Sequence, residues 1–147
     1  MEESDREEIL ARLRGRGEEA LKRLAFEVEA EGGFASPAEF AALIRTSESE
    51  VLAMLARGEL IDASDDGGFS DGIPELLAWE GKPLPLLPWL LERADRKGMR
   101  DSLFMVDYLL ADFELLGGRP LDFLREGSKR SLDLVEEHFC RFGEMGG

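Results

Sequence analysis

Short apolar stripes at helical spacing, separated by glycines and prolines, run along almost the whole chain. Leu21, Leu24, Ala25 and Val28 recur at the three- and four-residue intervals that mark one face of an α-helix. The 16 glycines and six prolines fall largely between such stripes, where they end one helix or begin the next. We therefore expect an all-α fold: an N-terminal helix, a helix-turn-helix with room for a short wing hairpin, and a C-terminal helical module.

The glycines and prolines divide the chain into three predicted segments: 1–33, 34–74 and 75–147. In the first segment we expect a helix over residues 2–31, broken or bent near Gly15 and Gly17. The pair Gly32-Gly33 then ends it, because glycine adopts the left-handed conformation that closes a helix.

The second segment carries two helix starts. Ser36 followed by Pro37 is typical of an N-cap with proline in the first helical turn. Ser47, with Glu50 three residues later, fits a capping box for the next helix. Residues 59–61 then predict a short strand, and residues 62–74 a loop or a small hairpin in the position of a wing.

The third segment predicts four helices. The first covers Leu86–Ala94 and begins at Pro85 or Pro88. The second is capped by Asp101-Ser102 and runs through Phe113 to Gly117-Gly118. The third runs from Pro120 to Gly127 and the fourth from Ser131 to Gly143.

The net charge and the kinds of residue present argue against nucleic-acid binding, metal binding and catalysis. The chain has 32 acidic and 18 basic residues, a net charge of −14, which repels nucleic acid unless the basic residues are grouped. Its one histidine and one cysteine, His138 and Cys140, cannot by themselves build a zinc site or a catalytic pair. The carboxylates Asp107, Asp112 and Glu114 are close in sequence, but an acidic chain brings acids together by chance. We expect no catalytic residues, no metal and no cofactor.

Localisation follows from what the chain lacks. No apolar run approaches the roughly 18–20 residues of a membrane span, and the N-terminus is acidic where a secretory signal would be basic. A single cysteine also fits a reducing compartment. We expect a cytoplasmic protein.

Five residues of the C-terminal segment are candidates for binding a partner protein. Tryptophan is frequent among interface anchors, and Trp79 stands beside a proline-rich connector. The basic residues Arg119, Arg125, Lys129 and Arg130 stand out on an acidic chain. They either pair with neighbouring carboxylates or form a patch that meets an acidic partner surface.

Two stretches resemble a known family. Residues 36–63, SPAEFAALIRTSESEVLAMLARGELIDA, resemble the helix-turn-helix of small bacterial regulators. Residues 115–139, LLGGRPLDFLREGSKRSLDLVEEHF, resemble the C-terminal module of the Xre/MbcA/ParS toxin-binding antitoxin family. The resemblance spans about residues 36–143. It implies an antitoxin-like or regulatory protein, usually dimeric, whose C-terminal half binds a partner toxin and whose N-terminal half binds operator DNA.

The expected recognition helix departs from the family pattern. Side chains that contact bases usually carry a positive charge, an amide or a hydroxyl, and the candidates here are few: Arg45, Ser47, Ser49 and Arg57. Glu48 and Glu50 stand among them and would repel phosphates. DNA binding is therefore expected to be weak, lost or moved to another surface. The alternative function is an acidic mimic of nucleic acid that binds and inhibits a basic nucleic-acid-binding protein.

Overall fold

The chain is mainly helical. The structure, a computed structural model, describes residues 17–63, 72–98 and 102–145. Within these ranges the elements, in order, are α1 (Gly17–Ala30), β1 (Phe34–Ala35), α2 (Pro37–Leu43), α3 (Glu48–Ala56), β2 (Ile73–Pro74), a 3₁₀ turn (Glu75–Leu77), β3 (Ala78–Trp79), β4 (Lys82–Pro83), α4 (Leu87–Arg96), α5 (Ser102–Leu110), α6 (Pro120–Glu126) and α7 (Lys129–Met145).

The C-terminus of α1 leads directly into the first strand. The Gly33 N–H donates to the carbonyl of Val28 at 2.9 Å, and Gly33 adopts a φ of +82°. This left-handed closure confirms the predicted helix end at the Gly-Gly pair. The predicted helix before Gly17 lies outside the described residues.

The second segment forms two helices with a four-residue connection. The hydroxyl of Ser36 accepts the Glu39 N–H, and the Glu39 carboxylate accepts the Ser36 N–H in return. This complete capping box starts α2, whereas the sequence predicts only its serine cap. Ser47 accepts the Glu50 N–H at 3.1 Å and starts α3, which confirms the predicted cap. The Glu50 carboxylate binds Arg57, so the structure shows only the serine half of the capping box predicted there. Helices α2 and α3 pack against each other.

Two small antiparallel sheets accompany the helices. In the first, β1 pairs with β2, so that Phe34 lies opposite Pro74 and Ala35 opposite Ile73. The predicted strand at residues 59–61 is wrong, because these residues follow α3 as irregular chain. Most of the predicted wing, residues 64–71, lies outside the described residues. The N–H of Ala63 donates to Gly72 O at 2.8 Å, and this bond joins the two flanks of that segment.

The second sheet lies in the connector between β2 and α4. Strands β3 and β4 form a hairpin, with Trp79 opposite Lys82. Leu86 then caps α4 in the left-handed conformation, with a φ of 67°, and Pro88 lies in the first turn of the helix. Helix α4 therefore begins one residue later than expected and extends two residues further.

The end of α5 and both ends of α7 correct the sequence-based limits. Helix α5 ends at Leu110, and Phe113 instead bonds to Gly118 in an isolated β-bridge. Ser128, not Ser131, caps α7: its hydroxyl accepts the Ser131 N–H at 3.1 Å, and Ser131 lies buried in the first turn. Helix α7 also continues through Gly143, because a single glycine weakens a helix without breaking it. The predicted limits of α6 at Pro120 and Gly127 are confirmed.

One hydrophobic cluster joins the helices. It takes buried side chains from every helix, among them Leu24, Val28, Phe40, Val51, Leu90, Leu109, Leu121 and Phe139. The cluster thus draws on all three predicted segments, whose independence as domains stays a prediction. None of the described helices is both long enough and apolar enough to cross a bilayer.

Candidate partner-binding site

The candidate site is a cleft beside the hairpin of β3 and β4, and we call it the Trp79 cleft. Its volume is about 240 Å³. Its lining residues are Glu31, Leu43, Glu75, Ala78, Trp79, Glu80, Gly81 and Arg125. Trp79 and Leu43 keep 36% and 37% of their surface exposed, so two large apolar side chains face solvent in one concave place. Such a combination is typical of a contact surface.

Arg125 of α6 holds Trp79 in place. Its guanidinium carbon lies 4.6 Å from the centre of the Trp79 ring, within the range of a cation–π contact. The Arg125 side chain is only 17% exposed, and its Nε, which is fully buried, has no hydrogen-bond partner among the described residues. The guanidinium therefore packs on one face of the indole.

Glu31, just after α1, pairs with two arginines: Arg119, the N-cap residue of α6, and Arg125 within α6. Its carboxylate accepts from Arg125 Nη1 at 2.8 Å and from Arg119 Nη1 at 3.3 Å. Arg119 in turn donates two hydrogen bonds to the carboxylate of Asp122, at 2.8 and 3.0 Å. This hydrogen bonding lowers the pKa of Asp122 and raises that of Arg119. The four groups sum to zero charge and connect the end of α1 to α6.

The hairpin turn needs glycine at position 81. Gly81 adopts a φ of +77°, and a Cβ there would lie 2.9 Å from Nε of Arg45. A side chain at this position would therefore be strained and would also displace the arginine. Arg45 itself has a positive φ of 57° at the turn between α2 and α3. The α2–α3 turn and the β3–β4 turn are thus in direct contact at the rim of the cleft.

Three of the five predicted partner-binding residues come together here. Trp79, Arg119 and Arg125 belong to one connected network around Glu31. Lys129 and Arg130 are exposed at the start of α7, where they line a separate open groove with Leu134. Lys129 pairs with Asp133 at 4.0 Å. The five predicted residues therefore lie on two separate surfaces, and of these two only the Trp79 cleft includes the tryptophan.

The predicted DNA-binding residues occupy the start, the end and the preceding turn of α3. Ser47 is committed to its capping hydrogen bond, and Ser49 is exposed. Arg57 donates to Glu59 at 2.7 Å and to Glu50 at 3.0 Å. The hydrogen bonds raise the pKa of Arg57 and lower that of Glu59, so the cation is held between two anions. Arg45 packs on the β3–β4 turn, as described above.

Of the residues weighed for catalysis, His138 and Cys140 lie on α7 and Asp107 lies on α5. Nδ1 of His138 lies 2.9 Å from the Tyr108 hydroxyl, and its ring packs 4.6 Å from that of Phe113. Burial lowers the pKa of His138 and raises that of Asp107. The backbone carbonyl of Cys140 accepts a hydrogen bond from Lys97 at 2.6 Å. Within the described ranges, no group of three or more potential ligands among His, Cys, Asp and Glu is placed to hold a metal ion.

Sequence reasoning missed Glu31, Leu43 and Glu75 as members of the cleft. Glu31 is one acid among 32, and its partners are 88 and 94 residues away along the chain. Its place next to the helix-ending glycines was the only local signal. Leu43 follows Phe40 and precedes Ile44 in an apolar stretch that gives no sign of exposure, yet the structure leaves 37% of its surface exposed to solvent.

Comparison with protein-family models, with curated proteins and with solved structures finds no match to this chain.

Proposed function

We propose that this chain is a non-enzymatic binding protein that recognises a partner protein through the Trp79 cleft. The observation that carries the proposal is the half-exposed indole, fixed by an arginine that is itself anchored by Glu31. A rigid, half-exposed tryptophan contributes contact area with little loss of conformational freedom on binding. Tryptophan and arginine are also the residues most enriched among interface hot spots.

The family resemblance supports the same interpretation. The stretch that resembles the toxin-binding module of the Xre/MbcA/ParS family, residues 115–139, supplies Arg119 and Arg125 to the network around the cleft. In an antitoxin-like protein this half would contact the toxin. We therefore propose an antitoxin-like or regulatory role, with the Trp79 cleft as the partner-binding surface.

We propose that α2 and α3 are a helix-turn-helix that has lost DNA binding or retains it only weakly. Two exposed glutamates, Glu48 and Glu50, lie at the start of α3, where phosphates or bases would be met. Arg57, the cation at the other end of the helix, is already paired with two carboxylates. Binding of a labelled 30-base-pair duplex at about 50 mM salt, measured by fluorescence anisotropy, should be undetectable or very weak.

The test of the proposed function is co-purification with the product of the neighbouring gene, using two matched variants. Trp79→Ala and Leu134→Ala each remove a large apolar side chain that is 36% exposed. Trp79 lies in the cleft, whereas Leu134 lines the α7 groove with Lys129 and Arg130. We expect Trp79→Ala to weaken the complex at least about tenfold and Leu134→Ala to leave it within about twofold. The opposite pattern would move the interface to α7, and equal binding by all three proteins would refute the proposal.

A second candidate function is an acidic mimic that binds a nucleic-acid-binding protein. The observation that favours it is the acidic start of α3, together with the net charge of −14. This function predicts a complex that weakens steeply with salt and is disrupted by Glu48→Lys with Glu50→Lys. A partner complex that depends on Trp79 and tolerates 500 mM salt would exclude it.

A further inference from the structure

We propose that the Trp79 cleft receives a basic side chain, arginine or lysine, from the partner protein. This inference rests on the proposed function and names the chemistry of the group that enters the site. It follows from the charges that line the cleft, from the apolar walls beside them and from the position of the nearby cations.

Two carboxylates of the lining have no ion-pair partner in the part of the chain that the structure describes. Three of the lining residues are acidic, Glu31, Glu75 and Glu80, and one is basic, Arg125. Glu31 is neutralised, because it pairs with Arg125 at 2.8 Å and with Arg119 at 3.3 Å. No ion pair within 4.0 Å joins Glu75 or Glu80 to any basic group among the described residues. The lining therefore keeps an excess of two negative charges, on the half-buried Glu75 and the exposed Glu80.

The nearby cations do not neutralise these two negative charges. Arg45 packs against the backbone of Gly81 at the rim, and Lys82 is exposed on β4. Neither side chain lines the cleft. Since the carboxylates line the cleft and these two cations do not, a ligand group that enters the cleft meets the carboxylates more closely.

The apolar part of the cleft fits the stem of the same side chain. Leu43 and Trp79 each expose more than a third of their surface next to the carboxylates. Arginine and lysine place methylene groups on apolar walls and keep the charged end on acids or water. The indole face that Arg125 does not cover would also attract a second cation. A partner carboxylate would instead be repelled by Glu75 and Glu80.

The experiment is selection of binding peptides from a random 12-residue phage library on the purified full chain at 150 mM salt. Peptides from the selection are synthesised, and their dissociation constants are measured by fluorescence anisotropy. They are compared on the wild type, on Glu75→Gln/Glu80→Gln and on Glu48→Gln/Glu114→Gln. The last variant is the matched control, since it removes the same charge from exposed glutamates outside the cleft.

We expect the selected peptides to share an arginine or lysine beside an apolar residue. The cleft variant should weaken them at least about fivefold, and the control by less than about twofold. Replacing the shared basic residue by glutamine should abolish the difference between the wild type and the cleft variant.

The other outcomes overturn the inference in distinguishable ways. If the selected peptides lose binding in Trp79→Ala but are acidic or uncharged, or bind the cleft variant unchanged, the basic-ligand inference is wrong and the proposed function stands. If the peptides bind Trp79→Ala as tightly as the wild type, the proposed site is wrong as well. A library that yields no binder also counts against the inference, because a cleft with this lining should select basic peptides.

Discussion

The ion-pair network at Glu31 makes a sharp prediction about stability. Glu31→Gln keeps the size of the side chain and removes the charge that Arg125 and Arg119 share. Among the described residues, Glu31 is the one carboxylate within ion-pair distance of Arg125, whose Nε already has no hydrogen-bond partner, so the variant leaves a largely buried cation without a directly bonded anion. Such a group costs free energy because its burial is no longer compensated by a hydrogen-bonded carboxylate.

The magnitude follows from the exposure of the pair. Breaking a fully buried pair costs about 3–5 kcal/mol, and an exposed pair contributes about 0–1 kcal/mol. The side chains of Glu31 and Arg125 are 18% and 17% exposed, which places the network between these limits and closer to the buried one. We expect Glu31→Gln to lower the free energy of unfolding by about 2–3 kcal/mol. For a chain of this length the Tm should fall by about 5–10 °C.

The assay is urea unfolding followed by circular dichroism, with Glu92→Gln as the control. Glu92 pairs with Arg96 at 2.6 Å, but both side chains are more than 60% exposed, so its loss should cost less than about 0.5 kcal/mol. In a double-mutant cycle, Glu31→Gln and Arg125→Met should be coupled by about 1–2 kcal/mol. Equal midpoints for Glu31→Gln and Glu92→Gln, or additive effects in the cycle, would refute the structural role assigned to Glu31.

Three further predictions concern caps, core and pH. Ser36→Ala and Ser47→Ala should each lower the free energy of unfolding by about 1 kcal/mol, measured by urea unfolding, because each removes an N-cap acceptor; a loss below about 0.3 kcal/mol would contradict the caps. Phe139→Ala should lower the free energy of unfolding by about 3–5 kcal/mol in the same assay, since the ring is fully buried. A decrease of less than about 1 kcal/mol would place the ring outside the core. The single imidazole, His138, should titrate below its ordinary pKa of 6.5 in an NMR pH series, because burial disfavours its charged form. Its contribution to stability is therefore present above pH 6.5 and falls as the pH drops through the lowered pKa; a normal or raised pKa would contradict the burial.

Local signals in the sequence predicted local structure well. Ser36 and Ser47 begin helices, and Gly127 ends one, because a cap depends on residues within one turn of the helix end. The same kind of signal misplaced the start of α7, where Ser128 and Ser131 are both serines near the first turn. Only the hydrogen bond from the Ser131 N–H to the Ser128 hydroxyl distinguishes them.

At the end of α5, the spacing of apolar residues does not predict where the helix stops. Phe113 follows Leu109 and Leu110 at helical intervals, which predicted that the helix continues. In the structure the chain leaves the helix at Leu110, and the Phe113 ring still packs against His138 at 4.6 Å. The β-bridge to Gly118 satisfies the backbone in place of the helix. Burial of an apolar residue is thus compatible with either conformation, and the choice depends on contacts distant in sequence.

In the candidate site, too, the composition of the chain pointed to some of the residues but did not predict the contacts that they make. Scarcity of positive charge singled out Arg119 and Arg125, and the structure brings both to the network around the cleft. Of the two alternatives that the sequence left open, ion pairing or a basic patch, the structure shows ion pairing for both arginines, with Glu31 and Asp122. Arg125 acts on Trp79 by stacking, so its effect on a partner would pass through the orientation of the indole. The charge that a partner would meet in the cleft is negative, and it comes from Glu75 and Glu80, which no pattern in the sequence distinguishes from the other acids.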